Sequence, residues 1–139
     1  MSPKQLSPTP SMFEDVAEFH KQVLSQGPRA PQLLKPEVAV ARRLFMQEEL
    51  NEFVGCASVG NMVGMADALA DLIYVALGTA YLMGLPFDDI WAVVQKANMT
   101  KIPGITKRGM PNDAMKPEGW VGPEAEILMA IQKALADAS

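Results

Sequence analysis

Between Met62 and Phe87 the chain carries only two charged residues, Asp67 and Asp71, and from Leu72 onward none. A stretch this apolar must leave water, either in a membrane or inside a protein, and the choice constrains everything else. Its uncharged part, LIYVALGTAYLMGLPF, is 16 residues long, holds Gly78, Gly84 and Pro86, and is bounded by Asp71 and Asp88. A span needs about 20 predominantly apolar residues. The stretch therefore reads as a helix buried inside a soluble protein, and no membrane partner is expected.

The rest of the composition agrees. The chain has 139 residues, 49% of them hydrophobic, which is enough apolar material for one packed domain. Twelve basic against sixteen acidic residues give a net charge of −4, which repels nucleic acid and argues against it as a partner. Cys56 is the only cysteine, so no internal disulfide or Cys-based zinc site can form, as suits a cytoplasmic protein. The first twenty residues lack the apolar core of a signal peptide.

Periodicity and stop signals divide the chain into helices. Ser11 with Glu14 has capping-box spacing, and Phe13, Val16, Phe19 and Val23 mark a first helix from Met12 to Leu24. Pro36 opens a second, which ends in the region of Gly55 to Gly60. A third runs from about Asn61 to Met83, with Gly84 placed to end it, and a fourth from Phe87 to Asn98. Residues 102–122 read as a loop, and Pro123 opens a last helix. The expected fold is all-α, an antiparallel bundle of four to five helices. Its expected parts are a disordered lead-in (1–11), a catalytic bundle (12–101), a basic mobile loop (102–122) and a C-terminal helix (123–139).

The chemistry lies in the acids. At 100° per residue, Glu48, Glu49 and Glu52 fall within about a third of the second helix's circumference, an arc shared with Val38, Ala41, Phe45 and Cys56. A solvated acidic stripe would have polar neighbours instead. Asp67 and Asp71 form an i, i+4 pair on the apolar third helix, and such carboxylates need a cation or a route to water. From Leu44 to Gln95 there are seven acids and no Lys or Arg. Hard carboxylate oxygens on facing helices suit Mg²⁺, Mn²⁺ or Ca²⁺. The charge then reverses, with Lys96, Lys101, Lys107, Arg108 and Lys116 opposed by Asp113 alone between residues 96 and 116. A carboxylate metal cage followed by a basic segment is what a polyphosphate substrate requires. His20, the lone histidine, makes no cluster and reads as a structural residue or one packed near a pocket edge. There is no P-loop and no dinucleotide-binding glycine motif.

These residues resemble the all-α nucleoside triphosphate pyrophosphatases, which include MazG-like enzymes, dimeric dUTPases and phosphoribosyl-ATP pyrophosphohydrolases. The likeness is strongest to the phosphoribosyl-ATP pyrophosphohydrolase-like branch, found in bacteria and phages. It runs through FEDVAEFHKQV, RRLFMQEELNEF, ADALADLIYVALGTAYLMGLPFDDIWAVVQKANMTK and KPEGWVGPE. The family signature is E-E-x-x-E on one helix and E-x-x-D on the next, binding Mg²⁺. Glu48, Glu49 and Glu52 match the first half and Asp71 matches the final aspartate. Ala68 stands where the glutamate should be, with Asp67 one residue earlier.

The resemblance implies Glu49, Glu52, Asp71 and Asp67 as ligands of Mg²⁺, with Mn²⁺ able to substitute. Glu48 either completes the cage or activates the attacking water. Asn98 and Lys101 match a family element near substrate, and Lys96, Lys107, Arg108, Lys116 and His20 join them as candidate substrate contacts. The implied unit is a homodimer or homotetramer with pockets shared between chains. The implied reaction is Mg²⁺-dependent hydrolysis of a (d)NTP to (d)NMP and pyrophosphate, in nucleotide-pool sanitation or phage nucleotide metabolism. Two alternatives remain at this stage: phosphoribosyl-ATP as substrate, and a non-catalytic all-α interaction module.

Overall fold

The computed structural model describes residues 9–139. Of the expected disordered lead-in, residues 1–8 lie outside the described part. Among the described residues there are five helices and one two-stranded sheet, so the chain is all-α in class. It divides into two compact units, 1–85 and 86–139.

The first unit holds α1 (Met12–Gln22), α2 (Pro36–Ser58) and α3 (Met62–Leu82). Ser11 caps α1 as its spacing predicts, its Oγ accepting the Glu14 N–H at 3.0 Å, a contact worth about 1 kcal/mol. Asn61 does the same for α3, accepting from Gly64 N–H at 3.0 Å. It is thus the residue before the helix rather than its first member. Gly84 ends α3 in the left-handed region at φ +66°. Gly84 N–H donates to the Tyr81 carbonyl and Leu85 N–H to the Ala80 carbonyl, the paired bonds of a Schellman motif.

The core of this unit sits where α1 crosses α3. Val16, Ala68, Leu77, Ala80, Tyr81 and Leu82 are buried there together with His20. Phe19 meets Tyr74 edge-on at 5.4 Å, and the His20 ring lies 5.1 Å from that of Tyr81. Polar atoms inside are matched. His20 Nδ1 hydrogen-bonds Gln26 Oε1 at 2.6 Å, and the Tyr81 hydroxyl donates to the Gln26 carbonyl at 2.7 Å. From α2, Arg42 donates to Thr79 Oγ1 and to the Val75 carbonyl, each at 3.0 Å. Gly78 lets both side chains approach, since a Cβ there would stand 2.6 Å from His20 Nε2 and 2.7 Å from an Arg42 nitrogen.

The apolar stretch is less enclosed than its sequence predicts. Leu69, Ile73 and Tyr74 of α3 remain exposed, and α2 has no buried residue although it presents Val40, Leu44, Phe45, Leu50 and Val54. Two helices, α1 and α2, are too few to surround α3, so one face of it is covered and the other is not. By length and composition alone α3 could cross a membrane.

The second unit contains α4 (Phe87–Asn98), β1 (Ile102–Gly104), β2 (Asp113–Met115) and α5 (Glu124–Asp137). The strands pair antiparallel, Ile102 opposite Met115 and Gly104 opposite Asp113. The sequence predicts a loop here, because three-residue strands are too short to show a period of two. Side chains inside the hairpin hold it instead. Asp113 accepts from Arg108 Nε at 2.8 Å and from the second guanidinium nitrogen at 2.7 Å, and also from Thr106 Oγ1. Trp120 ties the following turn to α4, its Nε1–H reaching Thr100 Oγ1 at 2.8 Å and the Ala97 carbonyl at 3.2 Å.

The Asp113 network makes a pH prediction. The Thr106 hydroxyl first, then the Arg108 fork and the Ala114 N–H, lower its pKa from 3.8 to about 2. A depressed carboxylate pKa gives stability that is present above the unfolded value and lost as pH falls through the folded one. The Asp113 carboxyl resonance should therefore titrate near pH 2, and Arg108→Ala should move its midpoint up toward the ordinary range. An unchanged midpoint in that variant would show that the fork does not hold the turn.

Candidate active site

Four acids gather on the first unit. Glu48, Glu49 and Glu52 lie on α2, and Asp71 on the helix packed against it. Glu49 is at their centre: it is half-buried, and its Oε2 is enclosed with no hydrogen-bond partner. Its pKa is raised, first by desolvation, then by the negative charge of Asp71, by Glu52 both as a charge and as a hydrogen-bonding neighbour, and by Glu48. The crowding of like charges around Glu49 disfavours its ionised form and would favour a cation beside it.

Protein cations do not supply it. None of the four acids forms an ion pair among the described residues. Arg42 of α2 donates to Thr79 and Val75 and lies 5.5 Å over the Phe45 ring. The donor set fits a hard divalent cation: oxygen ligands only, one of them already desolvated and unpartnered. The arrangement is open, however. Among the described residues no group of three or more Asp, Glu, His or Cys side chains is close enough together to hold a metal ion. Glu48 and Glu52 are exposed, and Glu49 and Asp71 are half-buried.

The other predicted residues are placed as follows. Asp67 is exposed and is not among the charges acting on Glu49, whereas Ala68 beside it is 1% exposed. The α3 surface at the signature's glutamate position is thus turned into the core. His20 is 3% exposed and held by Gln26, so its place is inside the α1–α3 core rather than on an open surface. Cys56 is half-buried beside Asn61 at the corner between α2 and α3.

In the second unit, Asn98 and Lys101 line one cavity of about 280 Å³ with Asn112 and Asp113. Asn112 was not found from sequence, because only the pairing of β1 with β2 brings its amide to the end of α4. Lys101 and Lys116 stand 5.2 and 5.1 Å from the Trp120 ring. Lys96 pairs with Glu126 at 3.3 Å, and Arg108 is engaged by Asp113. Lys107 is exposed. Another cavity, about 440 Å³, is lined by Lys96, Trp120, Glu126 and neighbouring residues, and none of Glu48, Glu49, Glu52 and Asp71 lines it. The acids occupy an open helix face, which cavity size does not find.

A family model for PRA-PH, phosphoribosyl-ATP pyrophosphohydrolase, matches residues 16–98. The chain belongs to this family. The match runs from within α1 to the end of α4 and includes Glu48, Glu49, Glu52, Asp67 and Asp71. It places the protein in the MazG-like all-α NTP pyrophosphatase superfamily, as a pyrophosphohydrolase. No curated protein matches the chain.

Proposed function

We propose that the protein hydrolyses the bond between the α and β phosphates of a nucleotide, releasing pyrophosphate with the help of Mg²⁺ or Mn²⁺. The observation that carries this reading is the buried, unpartnered Oε2 of Glu49 amid three other carboxylates and no basic partner. Glu49, Glu52 and Asp71 would hold the cation. When bound, the cation neutralises phosphate oxygens and the charge that develops on the leaving group.

Glu48, exposed beside Glu49, accepts a proton from the attacking water. The water's oxygen bonds to the α-phosphorus as the bond from that phosphorus to the bridging oxygen breaks, and pyrophosphate leaves with the bridging oxygen. From the resemblance, Asn98 and Lys101 are proposed as donors to phosphate oxygens, and Lys96, Lys107, Arg108 and Lys116 as further substrate contacts. The catalytic portion is residues 12–101.

Two substrates share this bond. A nucleoside triphosphate suits the reading from charge and acids. Phosphoribosyl-ATP suits it equally, because the family model that matches is the one described for that substrate. The uncovered apolar side chains of α2 and α3 support a second copy of the chain as the covering partner, giving a homodimer or homotetramer. A single unpaired cysteine supports a reducing, cytoplasmic setting.

The test is pyrophosphate release from all ribo- and deoxynucleoside triphosphates and phosphoribosyl-ATP, in Mg²⁺ and in EDTA. Metal-dependent release with a monophosphate product is expected from one of them. A folded protein that turns over none, and whose melting temperature Mg²⁺ and Mn²⁺ leave unchanged, would sink the proposal.

A further inference from the structure

A cavity in the first unit has no role in the carboxylate chemistry. It measures about 220 Å³, and Phe13, Lys21, Pro28, Arg29, Tyr81 and Gly84 are among its lining residues. Its walls are fastened rather than loose. The segment after α1 is tied to α3 by the Tyr81 hydroxyl on the Gln26 carbonyl and by Gln32 N–H on the Met83 carbonyl at 2.9 Å. At Gly84 the carbonyl oxygens of Arg29 and Ala30 come so close that a Cβ would stand 2.4 Å from each.

The charges lining this cavity are both positive. Neither Lys21 nor Arg29 forms an ion pair among the described residues, and Glu18, one turn before Lys21 on α1, accepts from Gln22 instead. Arg29 is close enough to Tyr81 to oppose the rise that burial causes in that phenol's pKa. In a chain of net charge −4, two unpaired cations on an aromatic-walled hollow mark a place for an anion with a flat apolar body. A bare phosphate would leave most of the hollow unfilled. Tyr81 lies ten positions beyond Asp71, about 15 Å along the helix axis, so one small ligand cannot fill both places.

We propose that this cavity binds a nucleoside monophosphate, its phosphate on Lys21 and Arg29 and its base against Phe13, Pro28 and Tyr81. The site is separate from the carboxylates and stands or falls independently of their chemistry.

The experiment is an NMR titration of the full chain with AMP in EDTA, which removes any metal-dependent binding at Glu49. AMP should shift the amides of Lys21, Arg29 and Tyr81. Affinity should fall about tenfold or more in both Arg29→Gln and Lys21→Gln, as expected when one charge-assisted phosphate contact is lost, and should be unchanged in Glu49→Gln. Adenosine and inorganic phosphate should each bind about tenfold more weakly than AMP, since each lacks half of the recognised groups. The proposal is overturned if AMP leaves those residues unmoved, if both glutamine variants bind as well as the parent, or if inorganic phosphate binds as tightly as AMP. Absence of pyrophosphate release would not touch it, because the titration involves no turnover.

Discussion

Glu49→Gln should release pyrophosphate about 100-fold more slowly than the parent, or worse, and yet melt at a higher temperature in EDTA. The loss follows from removing a metal ligand at the centre of the acid group, since even outer partners of a ligand are worth 10- to 100-fold. The gain in stability follows from the same position. Glu49 is strained by desolvation and by Asp71, Glu52 and Glu48, and an amide of nearly the same shape removes that repulsion and can donate to a neighbouring carboxylate. Mg²⁺ should stabilise the parent in a melting assay and leave the variant almost unmoved. If the variant melts lower than the parent in EDTA, Glu49 is a supporting residue of α2 and the metal reading of its orphan oxygen is wrong.

Gly84→Ala should lose about 2–5 kcal/mol, the sum of roughly 1–2 for a left-handed backbone and 1–3 for overpacking. The methyl group would meet the carbonyl oxygens of Arg29 and Ala30, backbone atoms that cannot rotate away. The segment that Gln26 and Gln32 fasten to α3 would have to lift. Chemical denaturation measures the effect. A loss under 1 kcal/mol would mean that this segment yields easily, and would weaken the walls of the cavity beside it.

Much of the first unit was legible because its signals are local. Ser11 and Glu14, Pro36 and Gly84 each mark a helix end through one residue's backbone preference, and each does so here. Grouping Glu48, Glu49 and Glu52 on one arc needed only the helical period. What stayed hidden depends on neighbours distant in sequence. The partnering of Arg42 with Thr79 and Val75 links residues more than thirty positions apart, and no local pattern announces it. The hairpin depends on Asp113 collecting donors from Thr106 and Arg108, so a segment rich in breakers reads as loop. The same fork engages Arg108, which sequence spacing offers as a free cation. His20 shows the limit from the other side: as a lone histidine it reads as structural or near a pocket edge, and only the packing of α1 on α3 reveals the Gln26 partner that holds it inside.

One consequence concerns α2, which carries three of the four gathered acids and buries none of its own residues within the chain. Its position is therefore fixed chiefly from its contact with α3 and from whatever covers its outer side. Under the proposed assembly, activity per molecule would depend on protein concentration: on dilution the protomers separate and the helix loosens before it unwinds. Specific activity would then fall at concentrations where the far-ultraviolet circular dichroism is still that of the intact helices.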